Sequence, residues 1–139
     1  MVIVDTNVVS EIMRPVPEPT VVRWFSSQAN QELHSTAITV AEILFGIELL
    51  PAGKRREALR AGAEKMFGVA LAGQILPFED RAARAFSAIA SSRHRQGRPI
   101  SKLDAQIAAI ARANHATLAT RNTDDFEGCG VLVVNPWEG

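Results

Sequence analysis

The sequence predicts an α/β domain of three layers, α/β/α, around a mostly parallel central sheet. Two observations carry this. Short apolar runs of strand length, VIV at 2–4, ELHST at 32–36, ILP at 75–77, TLAT at 117–120 and VLVV at 131–134, alternate with longer segments of helical periodicity. The stretches between strands are too long for hairpins, so crossover connections and parallel pairing follow. A chain of 139 residues is long enough for one domain with its own core. No repeat, low-complexity tract or linker divides it, so a single domain over 1–139 is expected.

Each element has a local reason. VIV reads as a short buried strand, and Asp5 or Asn7 is placed to cap a short helix through Val8–Met13. In PEPTVVRWFSSQ, a proline and Glu18 stand where a helix begins, with Val21, Val22 and Phe25 along it. After the strand ELHST, the segment ITVAEILFGIELL repeats Val40, Ile43, Leu44, Ile47 and Leu50 at helical spacing. Gly53 to Gly73 reads as a longer amphipathic helix with Leu59, Met66 and Val69 inward. ILP is a brief strand. EDRAARAFSAIASSRHRQG is a helix closed by Gly97 and Pro99. SKLDAQIAAIARANH is a helix with Leu103, Ile107 and Ile110 on one side, and the strands TLAT and VLVV complete the pattern.

Composition excludes several classes. No run approaches the ~18 apolar residues a membrane helix needs, and the N-terminus lacks the basic-then-apolar pattern of a secretion signal. Cys129 is the only cysteine, so no internal disulfide can form and a reducing cytoplasm is the expected compartment. Fifteen basic residues balance fifteen acidic ones, so there is no global charge pointing to nucleic acid, although a local basic rim is compatible with that balance. KRREALR at 54–60 and SRHRQGRP at 92–99 are two such rims, or simply solvated surface.

The acidic residues separate into two kinds. Asp80 has Arg84 four residues on, and Arg60 precedes Glu64 at the same spacing, which reads as surface ion pairing. Glu42 has only Thr39, Ile38, Phe45 and Gly46 as helical neighbours, and Asp104 lies beside Ser101, Ile100, Ile107 and Ala108. A carboxylate in such surroundings is costly unless something satisfies it. Thr39-x-x-Glu42, Ser101-x-x-Asp104 and Asn122-x-x-Asp125 each fit the capping box, and any one of them alone is accounted for that way.

Their joint placement says more. Asp5 ends the first strand, Glu42 comes in the first turn after the second, and Asn122 to Asp125 follow TLAT. In a parallel sheet these strand ends share one edge, where ligands bind. Asp104 must reach that edge from a helix start. Carboxylates gathered there need a counter-charge, and a hard divalent cation, Mg²⁺ or Mn²⁺, is the natural one for oxygen ligands. His34, His94 and His115 show no ligand spacing for zinc, and no GxSxG marks a nucleophilic serine.

DTNVVSE at the start, AITVAEILFGIELL in the middle, DAQIAAIARANHATLATRNTDDF later and the closing VNPW resemble the PIN-domain ribonuclease toxins of the VapC family, FitB-like branch. The similarity covers essentially the whole chain, with four motifs in the right order. It implies a compact PIN fold and a Mg²⁺-dependent ribonuclease, the toxin half of a toxin–antitoxin pair restrained by a small partner protein. The family's acidic site falls on Asp5, Glu42 and Asp104, expected to hold the metal. Its fourth position falls on Asn122, where the family accepts Asp or Asn. Thr6 and Asn7 match the residues that support the first carboxylate, and Thr120 the polar residue near the fourth. Because an amide contributes no charge, a second ion would be held weakly unless Asp124 or Asp125 swings in.

The expected chemistry is hydrolysis of an RNA phosphodiester by a metal-activated water, leaving 5′-phosphate and 3′-hydroxyl ends. Arg14, Arg95, Arg98, Lys102 and Arg121 are the candidates for drawing the phosphate backbone towards an acidic pocket, each equally readable as solvated surface. A homodimer, with a higher assembly on the antitoxin, is what the resemblance implies. The apolar faces of the helices at 38–50 and 53–73, or Trp137, are the surfaces available for it. A haloacid-dehalogenase-type phosphotransferase needs a second Asp where this chain has Asn7, and a receiver domain needs paired acids the chain lacks. The alternative from another class is a non-catalytic PIN-fold binding module acting through partner proteins.

Overall fold

The computed structural model describes residues 1–139. Five strands form one parallel sheet: β1 (Val2–Val4), β2 (Leu33–Thr36), β3 (Ile75–Leu76), β4 (Thr117–Ala119) and β5 (Val133–Val134), in the order β3-β2-β1-β4-β5. β1 is therefore central, with Val2 opposite Leu33 on one side and Thr117 on the other. Six helices complete the chain: α1 (Thr6–Ile12), α2 (Pro19–Ser27), α3 (Ala37–Glu48), α4 (Lys54–Lys65), α5 (Asp80–Arg95) and α6 (Lys102–Ala113).

The alternation of side chains along a strand sorts the core into two layers. Ile3 and Leu118 face α5 and α6, in a cluster with Ile89, Ile107, Ile110 and Phe126. Val4 and Ala119 face the opposite way, into a cluster with Val8, Val9, Val21, Ile43, Ile47 and Met66 from α1 to α4 and the turn beyond. The sheet thus has helices on both faces, the arrangement expected of buried parallel strands. No helix is long and apolar enough to cross a membrane.

Several local expectations are corrected. α3 starts earlier than Thr39: Thr36 is its N-cap and accepts from the Thr39 amide at 3.1 Å, so Glu42 lies in the second turn and belongs to no capping box. At Ser101 only half of the box forms, with the hydroxyl accepting from the Asp104 amide at 3.2 Å. Asn122 precedes a 3₁₀ turn over Thr123–Phe126 without any side-chain cap. The helix from 54 closes through a π-turn at Met66–Ala70, where the Leu71 amide reaches back to the Met66 carbonyl at 2.8 Å. The wider turn makes Met66 and Leu71 the inward pair and leaves Val69 in solvent.

Leu44 on α3 and Leu103 in the first turn of α6 are likewise exposed, because the core lies beneath Ile43 and Ile47 and beneath Ala105 to Ala111 instead. VLVV contributes only Val133 and Val134 to the sheet. Asp80 and Arg84 pair at 2.8 Å, whereas Arg60 pairs not with Glu64 but with Glu57 and, from α4 to α3, with Glu48.

Candidate active site

The ends of β1, β2 and β4 open on one edge of the sheet, and a cleft of about 510 Å³ lies there. Asp5, Glu42, Asp104 and Asn122 all line it. Asp5 is delivered by the last step of β1, where its amide still pairs with the Ala119 carbonyl at 2.9 Å. Its side chain caps α1: Oδ1 accepts from the Thr6 amide at 2.8 Å. Capping and site therefore coincide in one residue. Oδ2 accepts from the Thr120 hydroxyl at 2.7 Å and from Asn7 Nδ2 at 3.3 Å.

Glu42 arrives from the second turn of α3 and is oriented by α1, since the Thr6 hydroxyl donates to its Oε1 at 2.7 Å. Thr6 Oγ1 also lies 3.0 Å from Thr39 Oγ1. Asp104 comes from the first turn of α6 and is half-buried, fixed by its capped amide. Asn122 hangs from the turn after β4, its amide bonded to Thr120 Oγ1 at 3.1 Å, and the neighbouring Arg121 amide donates to Asn7 Oδ1 at 3.3 Å.

Electrostatics follow from this crowding. Asp5 is 4% exposed. Burial pushes its carboxyl up from 3.8 to about 6, against the lowering influence of Thr120 and the Thr6 amide, while the charges of Asp104 and Glu42 push it further. Burial also raises the Asp104 carboxyl; its Ser101 contact lowers it and the Asp125 charge raises it. The three carboxylates have no salt bridge to any cation of the chain. Of the cations on the cleft wall, Arg14 is paired with Glu11 at 3.3 Å and Arg121 lies over the Trp137 ring.

This donor set fits a hard divalent ion. Every candidate ligand is oxygen, and the negative charge is not compensated within the chain. No three acidic or imidazole groups are gathered tightly enough to enclose an ion by themselves.

The remaining expectations divide. Thr6, Asn7, Arg14 and Arg121 line the cleft, and Thr120 lies buried beneath it. Asp125 acts on Asp104 only as a charge and does not line the cleft. Arg98 and Lys102 do not line it either: Arg98 pairs with Glu127 at 3.5 Å, and Lys102 is exposed at the start of α6.

Ser10, Glu11 and Trp137 are cleft residues that the sequence reading passed over as site residues. Two of them carried a signal. Asn7, Ser10 and Glu11 recur at i, i+3 and i+4, a polar stripe of α1 opposite Val8 and Val9, and Arg14 continues the spacing just past the helix end. Glu11, 6% exposed, is held there by Arg14 and by the Glu18 amide at 3.0 Å. Arg93, in the second basic run, is also not surface. It is buried and donates to the carbonyls of Arg98, Asp125 and Glu127 at 2.7, 2.9 and 3.0 Å.

Residues 2–129 match the PIN domain family. Over 138 residues, 99% of each chain, the protein is 41% identical to the VapC ribonuclease Y4jK of Sinorhizobium fredii. Toxin FitB of Neisseria gonorrhoeae is 39% identical over 137 residues, again 99% of each. The crystal structure of FitAcB from Neisseria gonorrhoeae superposes with a TM-score of 0.92 and 39% identity, covering 100% of both chains.

Proposed function

The chain belongs to the PIN-domain family, and from that premise we propose that it is a metal-dependent endoribonuclease, the toxin component of a type II toxin–antitoxin pair. The observation that carries this is the meeting of Asp5, Glu42 and Asp104, from three distant stretches, in one cleft where no basic side chain pairs with them. A stability role alone gives no reason to concentrate unpaired negative charge at a sheet edge. The names of the relatives, a ribonuclease and a toxin, agree with it. The partners in this reading are an RNA substrate, a small cognate antitoxin and a second copy of the chain.

Asp5, Glu42 and Asp104 would hold Mg²⁺, or Mn²⁺ in its place, directly or through waters. Such an ion, when bound, supplies an acidified water and neutralises charge on the phosphoryl oxygens. The rest is the work of the chain. Thr120, Asn7 and the Thr6 amide fix both oxygens of Asp5, and the Thr6 hydroxyl fixes Glu42, so neither carboxylate has to reorganise as charge develops. Asn122 offers an amide to orient a water without adding charge. Arg14 and Arg121 on the cleft wall attract the RNA backbone to a site that would otherwise repel it.

Purified protein incubated with RNA, with and without Mg²⁺ and beside an Asp5→Asn control, tests the proposal. Cleavage should need the ion, leave 5′-phosphate and 3′-hydroxyl ends, and fall by about 100-fold or more in the variant, as when a charge-stabilising group is lost. Ends bearing 2′,3′-cyclic phosphate would contradict the route. RNA left intact under every condition would favour the non-catalytic binding module.

A further inference from the structure

We propose that Arg121 and Trp137 form a stacking platform that takes an unpaired RNA base beside the phosphate bound at the acidic cleft. This rests on the nuclease reading for its ligand, and on the following geometry for its site.

Arg121 is the first residue beyond Thr120, and its amide is tied to Asn7, the side chain that also holds Asp5. The base of the arginine is thus fixed relative to the first carboxylate. Its guanidinium carbon lies 5.0 Å from the centre of the Trp137 ring, within the range of a cation–π contact. Trp137 packs against the core cluster of Val4, Ile43 and Met66, and its amide is pinned by Asn135 Oδ1 at 2.9 Å. The indole is anchored from below, and the exposed guanidinium lies on it.

Two features distinguish this pair from ordinary surface packing. Arg121 has no carboxylate partner although the cleft beside it is acidic, whereas Arg14 on the same wall is taken by Glu11. Furthermore, Arg121, Trp137, Arg14 and Glu11 are shared between the acidic cleft and an adjoining cavity of about 300 Å³ that runs to the Val16–Pro19 loop. The platform therefore stands at a junction, on the side where the acidic cleft opens into this second cavity. A planar cation backed by an indole suits a base face, because bases stack on arginine planes as well as on aromatic rings. Every base has such a face, so the platform selects for unpaired RNA rather than for one sequence.

The test is binding of a short single-stranded RNA, carrying 2-aminopurine at successive positions, to the Asp5→Asn protein. Fluorescence should be quenched at one position. Trp137→Ala and Arg121→Met should each abolish that quenching and weaken binding by about 5- to 150-fold, and an abasic site at that position should remove the weakening. Trp137→Phe keeps the apolar anchor and should fall between. Arg121 is exposed, so its variant carries no folding burden. Quenching that persists in both variants, or equal weakening for intact and abasic RNA, would overturn the platform. Mg²⁺-dependent cleavage by the unaltered protein is scored separately. Coupled binding without cleavage removes the nuclease reading and leaves the platform, and cleavage without coupling does the reverse.

Discussion

The hydroxyl of Thr120 donates to Asp5 Oδ2 at 2.7 Å, joining residues 115 positions apart at the centre of the sheet. The same oxygen accepts from Asn7 Nδ2 and from the Asn122 amide, both at 3.1 Å. One buried threonine therefore uses its single proton and both lone pairs to hold a carboxylate, an amide and a turn. The acidic cleft owes its shape to this fully engaged oxygen as much as to the acids.

Asp5 makes the metal-free protein sensitive to pH in a direction opposite to most carboxylates. Its folded value of about 6 exceeds the ordinary 3.8, so between those values the folded state binds the extra proton. Stability from this group is full below 3.8 and declines as pH rises to 6, by about 3 kcal/mol. The raised Asp104 carboxyl acts with the same sign. Urea unfolding in chelator from pH 4 to 8, taken as unaltered protein minus Asp5→Asn, should show that decline. A flat difference would mean that Asp5 is solvated in the folded protein.

Adding Mg²⁺ or Mn²⁺ should raise the thermal midpoint of the unaltered protein, as any ligand of the folded state does. The rise should disappear in Asp5→Asn and largely survive in Asn122→Ala, since an amide brings no charge to the ion. Cleavage rates should rank the same way, with Asn122→Ala harmed less than Asp5→Asn. Equal losses would assign Asn122 a direct part in the chemistry.

Arg93 ties α5 to the turn that follows Asn122 by collecting the carbonyls of Arg98, Asp125 and Glu127. Arg93→Met would leave these acceptors without a partner and should destabilise the fold by about 3 kcal/mol or more. Hydrogen exchange should quicken at Asp125, Glu127 and Cys129, whose amides close the turn that follows Asn122. Arg93→Lys should recover only part, because a point charge does not reproduce a planar fork.

The fold was legible because its signals are local and repeated. Strand-length apolar runs, helical periodicities and long connections leave few topologies for a parallel sheet. The convergence of Asp5, Glu42 and Asn122 was legible for the related reason that strand ends share an edge. Asp104 was not implied by that rule, since it reaches the cleft from the start of α6. Arg93 was misread because a charged run looks solvated until its carbonyl partners, 32 and 34 residues away, are known. Trp137 suffered similarly: an aromatic near the chain end says nothing of the arginine that lies 5.0 Å from its ring centre. Val69 and Leu103 failed for a simpler cause, a change of helical pitch in one case and a first turn clear of the core in the other.

The central position of β1 also dictates timing. Its second neighbour, β4, and the threonine that completes Asp5, 115 positions further on, are made long after β1 itself. Until Thr117–Ala119 emerge, the first strand has one bare edge and the cleft no floor.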